Sequence, residues 1–155
     1  EKLNYQIKCI LGIDKEWKVA LIGIGNLGQA LLTYSGFTLQ GFKITQLFDN
    51  AVDKIGKTCT GLLIKDIKNL NEEIRKQDIN IAVLTVPANV ALLVCNLLVD
   101  AGVRAILNFA PTKVNVPPHV KVLNIDMISE LARLSYYLTQ KSEQEADPSG
   151  LELAI

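Results

Sequence analysis

Apolar runs of four to six residues alternate along the chain with longer stretches whose apolar positions recur at three- and four-residue spacing. The short runs read as strands covered on both faces, the longer stretches as helices, and their alternation as βαβ units around a parallel sheet. Strands are predicted at 18–22, 43–48, 62–65, 80–85, 103–108 and 120–124, with helices at 26–35, 66–77 and 88–101. Asp66 is placed to cap the start of the second helix, and Gly102 to end the third. The fold class that follows is α/β, a doubly wound and mainly parallel sheet.

Two segments fall outside the alternation. Residues 1–17 carry Ile7, Ile10, Leu11, Ile13 and Trp17 among polar residues, and read as a short helix and connector joined to something upstream. Residues 127–141 are helical in pattern, but Ile128, Leu131, Leu134, Leu138 and the adjacent Tyr136 and Tyr137 make them apolar on more than one side. Such a helix needs burial on more than one face, and no later strand is predicted to cover it. The expectation is a homodimer with this helix at or across the interface, swapped between subunits. Residues 142–155 contain Glu143, Glu145, Asp147, Pro148 and Gly150 and are expected to form a loose tail. The predicted organisation is a connector (1–17), a sheet domain (18–125), a dimerisation helix (126–141) and a flexible tail (142–155).

Charge and cysteine content narrow the function classes. Sixteen basic and sixteen acidic residues cancel, so these residues lack the broad positive field that gathers phosphate backbones. The chain by itself is expected to bind DNA poorly. Cys9, Cys59 and Cys95 are widely spaced, with no CxxC pair and only His119 as a further soft ligand, which excludes a disulfide framework and a metal site and fits a reducing cytoplasm. No apolar run approaches the roughly 18 residues of a membrane span. The sequence starts at Glu1, without an initiator Met or the pattern of a signal peptide, and is expected to be an excised fragment of a longer protein.

The candidate chemistry lies in Gly23-Ile24-Gly25-Asn26-Leu27-Gly28, which follows the first predicted strand and opens the first helix. In that context GxGxxG is a Rossmann fingerprint: Gly23 for the tight turn, Gly25 for approach of a pyrophosphate, Gly28 for close helix packing. The amides that open the helix, from Asn26 and Leu27 onward, then face the phosphates. Asp49, 21 residues beyond Gly28 at the end of the second strand, is placed to accept the adenosine ribose hydroxyls and to repel a 2′-phosphate, which favours NAD(H) over NADP(H). Two further loops leave strand ends on the ligand side: Thr85-Val86-Pro87 and Asn108-Phe109-Ala110, both read as lining the nicotinamide half. Tyr34 reads equally well as a core aromatic or as one directed at a cofactor ring. His119 has no nearby carboxylate in sequence to orient it, and no Ser-His-Asp or Cys-His set exists, so no catalytic residue is assigned. The domain reads as binding a cofactor rather than consuming it.

Taken together, these residues resemble the Rex family of redox-sensing transcriptional repressors. The resemblance runs from about Ile10 to Leu138 and rests on Leu11-Gly12 to Trp17, the glycine turn with Gln29-Ala30-Leu31, Tyr34 and Gly36-Phe37, Phe48-Asp49, Leu84 to Ala88, and Ala101 to Pro111. It implies a sensor of the NADH/NAD+ ratio, in which NADH closes a homodimer and releases operator DNA held by an N-terminal winged-helix domain not found in these residues. It further implies that Tyr34 sits close to the nicotinamide and that Asp126 contacts the DNA-binding domain. Tyr136 or Tyr137 of the exchanged helix would bring an aromatic to the nicotinamide, and the two stay undistinguished. The alternatives are the nucleotide-binding domain of a dehydrogenase, a CoA-binding ligase domain, or a dimerising scaffold without a ligand.

Overall fold

The computed structural model describes Ile7 and residues 15–145, with two compact units dividing after Ile125. In the first unit, seven strands form one sheet in the order β3-β4-β2-β1-β5-β6-β7. They are β1 (Trp17–Ile22), β2 (Phe42–Asp49), β3 (Thr58–Cys59), β4 (Leu62–Asp66), β5 (Ile81–Leu84), β6 (Ala105–Asn108) and β7 (Lys121–Asn124). All neighbours are parallel except β3 against β4. The helices of this unit are α1 (Asn26–Leu32), α2 (Ser35–Leu39), α3 (Leu70–Gln77) and α4 (Ala88–Ala101). The chain reverses its winding direction between β1 and β5, which places the ligand crevice of such a sheet at their carboxyl ends.

Alternation along the strands builds two apolar layers. Ala20, Ile22, Phe48, Ala82, Leu84 and Ile106 point to one face, where Leu70 and Ile74 of α3 and Val94, Cys95 and Leu98 of α4 cover them. Val19, Leu21, Leu47 and Val83 point to the other, beneath Ile24, Leu31 and Leu32. A bulge in β2 reconciles the two sets: Val19 aligns with Ile44 but Ala20 with Gln46, so Thr45 is an extra residue. One added residue inverts the side-chain alternation beyond it. Leu47 therefore shares a face with Ile44, and Asp49 ends the strand on the side of the glycine turn.

Several element limits differ from the sequence reading for local reasons. The predicted helix at 26–35 ends after Leu32, Tyr34 takes extended backbone (φ −73°, ψ 106°), and α2 then starts afresh after it. Asp66 does cap, accepting the Lys68 amide at 2.9 Å, but it caps a 3-10 turn (Ile67–Asn69) that precedes α3. Gly102 ends α4 at φ 100°, in the left-handed region. Trp17 belongs to β1, its amide donating to the Gly41 carbonyl at 2.7 Å, rather than to the connector. The rest of the 1–17 connector, apart from Ile7 and residues 15–16, lies outside the described residues. The hairpin of β3 and β4, turned at Thr60 (φ 48°) and Gly61 (φ 83°), is absent from the sequence reading because a two-residue strand carries no periodicity.

The second unit contains α5 (Met127–Glu145). It continues beyond the predicted end at 141, so Ser142 to Glu145 are helical rather than tail; residues with adequate helix propensity extend a helix after its apolar pattern has faded. Residues 146–155 lie outside the described residues. Asp126 caps its start, accepting the Ser129 amide at 3.0 Å and the Ser129 hydroxyl at 2.6 Å. Ile128, Leu131, Leu134, Tyr136, Tyr137 and Leu138 are all exposed in the single chain. Among the described residues no helix is long and apolar enough to cross a membrane.

Candidate dinucleotide-binding site

The glycine turn occupies the crevice because neighbouring strands hold it by the backbone. The Gly23 amide donates to the Phe48 carbonyl at 2.8 Å and the Thr85 amide to the Ile22 carbonyl at 2.9 Å, tying the ends of β1, β2 and β5 together. The Thr85 hydroxyl adds a 2.6 Å bond to the Gly23 carbonyl. Gly23 sits at φ 94°, where an L side chain is strained, and a Cβ there would lie 2.7 Å from the Thr85 carbonyl oxygen. Gly28 is buried, and a Cβ on it would collide with the Gly23 carbonyl oxygen. At Gly25, by contrast, nothing lies within 4 Å of where a Cβ would stand. Two glycines are required by packing, and the third leaves a void beside bare backbone.

That void opens into a cleft of about 620 Å³, within the range of small-molecule sites. Gly23, Gly25 and Leu27 line it from the turn, Asp49 from β2, Thr85, Val86 and Pro87 from the β5 loop, and Phe109 from the β6 loop. The structure thus brings together eight of the candidate cofactor residues. Asn50, Ala51, Lys54, Ile67, Asn89, Val90 and Pro111 also line the cleft and went unassigned in the sequence. Of these, Asn50 and Pro111 follow directly on assigned residues.

Asp49 is the charged centre of the cleft. It is 6% exposed, and its carboxylate accepts the Ile24 amide (2.8 Å), the Ala51 amide (2.9 Å) and the Lys54 ammonium (3.3 Å). Burial alone would push its pKa up, but the Ala51 and Ile24 amides, with Lys54, outweigh that and hold it below the ordinary 3.8. The carboxylate is therefore ionised throughout the neutral range. A depressed carboxyl pKa gives stability that is present above about pH 4 and is lost as the pH falls through the lowered folded value. Asp49→Asn should accordingly flatten the fall in unfolding free energy between pH 5 and pH 3 in urea titrations.

Five candidates lie apart from the cleft lining, Gly28 among them beneath the turn. Asn26 is exposed on α1. Asn108 is 0% exposed and fully engaged: its side-chain amide donates to the Thr112 carbonyl (2.8 Å) and to Asn124 Oδ1 (2.8 Å), and its Oδ1 accepts the Ala110 amide (3.0 Å). It shapes the loop carrying Phe109 and Pro111 and pins that loop to β7, with Ala110 buried beneath. Tyr34 lies on another surface of the first unit: it precedes α2, is 59% exposed, and stands edge-on to Phe37 with ring centroids 5.3 Å apart, on a separate groove with Thr38 and Phe42. The break at Thr33 removes it from the fingerprint helix. Asp126, Leu131, Leu134, Tyr136, Tyr137 and Leu138 belong to the second unit.

The chemistry on offer is recognition. The described residues contain no group of three metal-ligating side chains, and Cys95 is buried with its pKa pushed up to about 11, so it stays an unreactive thiol. A glycine turn open at Gly25, a fixed carboxylate at the end of β2 and an apolar wall at the ends of β5 and β6 define a Rossmann nucleotide-binding domain. A family model described as "CoA binding domain" matches residues 14–112. A redox-sensing transcriptional repressor Rex of Roseiflexus sp. (strain RS-1) is 45% identical over 139 residues, 90% of this chain and 63% of the relative. That of Chloroflexus aggregans (strain MD-66 / DSM 9485) is 41% identical over 143 residues, 92% and 68%. Among solved structures, the Rex-family repressor RSP in complex with β-NAD+ and operator DNA superposes with a TM-score of 0.88 at 31% identity, over 93% of this chain and 66% of RSP. The RSP complex with β-NADH gives 0.85 at the same identity. The chain belongs to the Rex family. It spans about two thirds of the length of these relatives.

Proposed function

We propose that this chain is the sensing and dimerising part of a transcriptional repressor that responds to the NADH/NAD+ ratio, with NAD(H) as signal rather than cosubstrate. The observation that carries the reading is the cleft itself: Gly25 leaves room for a pyrophosphate, and Asp49 stands fixed and ionised where an adenosine ribose would lie. Phe109, Val86 and Pro87 supply an apolar wall for the nicotinamide ring. The relatives named as repressors, and the solved relative bound to either dinucleotide, support the same ligand. No residue in the cleft is assigned a catalytic role. Operator DNA is contacted by a winged-helix domain outside these 155 residues, and the protein works in the cytoplasm. Gel shifts with the full-length protein and promoter fragments should show release by NADH at concentrations where NAD+ leaves the complex intact. Equal release by both forms would remove the sensing role.

The dimer forms through α5. One face of the sheet in the first unit bears an apolar groove of about 290 Å³ lined by Val19, Phe37, Phe42, Ile81, Leu107 and Leu123, and among the described residues no helix lies between β6 and β7. A second copy's α5 carries the leucines suited to such a surface, each worth roughly 1.5–3 kcal/mol when buried. Asp126, at the base of that helix, contacts the DNA-binding domain, and Tyr136 or Tyr137 approaches the nicotinamide. Leu131→Glu with Leu134→Glu should convert a dimer to a monomer at micromolar concentration in light scattering; an unchanged dimer would place the interface elsewhere. A ligand that moves the dimer between two arrangements must favour one of them, so NADH and NAD+ have to differ in that preference.

A further inference from the structure

Among the described residues that line the cleft, Lys54 is the one cation, and it is tied to the one carboxylate there, 3.3 Å from Asp49 Oδ2. The same oxygen already accepts the Ile24 amide, and Oδ1 accepts the Ala51 amide. A carboxylate offers about four acceptor positions, so these three donors leave room for one more. Holding both hydroxyls of a ribose takes two. The backbone amides are fixed by the turn, whereas the lysine ends a flexible stem with its side chain 35% exposed. Full ribose contact is therefore made at the expense of the Lys54 bond, and the released ammonium stays beside the ribose edge.

We propose that Lys54 is a specificity-determining residue of this cleft, setting how sharply it separates dinucleotides with a free 2′-hydroxyl from those with a 2′-phosphate. The inference rests on the dinucleotide reading of the cleft. Asp49 repels a 2′-phosphate and Lys54 attracts it, so the two charges of the pair act in opposition on selectivity. While Asp49 is present its repulsion outweighs the attraction of Lys54, and selection favours NAD(H). With the carboxylate removed, the ammonium is free to receive the phosphate, and the cleft becomes one for NADP(H). A lysine acts here as a point charge, so the attraction weakens with salt.

The test measures affinities of the 155-residue chain for NADH and NADPH, by fluorescence titration at two salt concentrations, in the parent, Lys54→Ala, Asp49→Ser and the double variant. Lys54→Ala is expected to lower the NADPH-to-NADH affinity ratio at least fivefold, and Lys54→Arg to restore it. Asp49→Ser should raise the ratio at least tenfold, and adding Lys54→Ala should remove most of that gain, with the Lys54 effect smaller at high salt. Should Asp49→Ser fail to fold for want of the Ile24 and Ala51 bonds, Asp49→Asn keeps an acceptor oxygen; in the parent background, competition between NADPH and NADH reads the Lys54 effect alone. A ratio that ignores Lys54 while NADH still binds overturns the inference and leaves the cleft's reading intact. Failure of the parent to bind NADH would instead overturn the reading.

Discussion

Gly25→Ala should fold and lose its ligand. Nothing stands within 4 Å of the added methyl, and the residue's backbone (φ −84°, ψ −165°) is open to any L residue, so the native packing is undisturbed. Losing glycine at the cap of α1 costs about 0.5–1 kcal/mol, a small shift in melting temperature. The methyl nevertheless fills the space through which a pyrophosphate would approach the backbone. Dinucleotide affinity should fall at least 30-fold, and Gly25→Val should abolish binding. Calorimetric titration beside a thermal melt checks both halves. A variant that keeps full affinity would show that the ligand does not approach at Gly25.

Gly28→Ala should do the reverse and damage the fold. Its Cβ would penetrate the Gly23 carbonyl oxygen and press on the Thr85 hydroxyl at 3.1 Å, and neither is the free end of a flexible side chain. Relief requires α1 to lift from β1 or the turn to open, each of which breaks the bonds joining the ends of β1, β2 and β5. Overpacking of this kind costs roughly 3 kcal/mol or more, a large share of a domain's total stability. Urea unfolding should show a lower midpoint with an unchanged slope. The pair of substitutions, one methyl each and three residues apart, separates the glycine that admits the ligand from the glycine that admits the helix.

The difference between these two glycines shows what the sequence made legible. The GxGxxG spacing after an apolar strand placed the turn and the close packing at Gly28, and Asp49 followed from its distance beyond Gly28, because backbone geometry in this turn fixes such spacings. The sheet was legible for a similar reason: buried parallel strands are continuous apolar runs. What the sequence hid were features set by contacts distant along the chain. Thr45 carries no mark of a bulge, yet the bulge decides which way Leu47 and Asp49 face. Asn108 has the residue type of a ligand contact, but its side chain is consumed by Thr112, Ala110 and Asn124. Tyr34 left the fingerprint helix where the backbone turns extended after Thr33, and Lys54 gained its meaning only from the carboxylate it meets.

The same contacts link the site to the rest of the first unit. The Ile125 amide donates to the Asn108 carbonyl at 2.8 Å, so the strand that leads out of the sheet is anchored on the residue that shapes the Phe109 loop. Asn108→Ala leaves the Ala110 amide and Asn124 without their partner and should cost about 2–3 kcal/mol in chemical unfolding.

The central claim, that the cleft reads the redox state of NAD(H), is tested most directly by titrating the chain with NADH, NAD+ and CoA in parallel. The account predicts that NADH binds at least tenfold more tightly than NAD+, that both compete for one site, and that CoA does not displace them. Equal affinities for the two redox forms, or binding of CoA in their place, would contradict it.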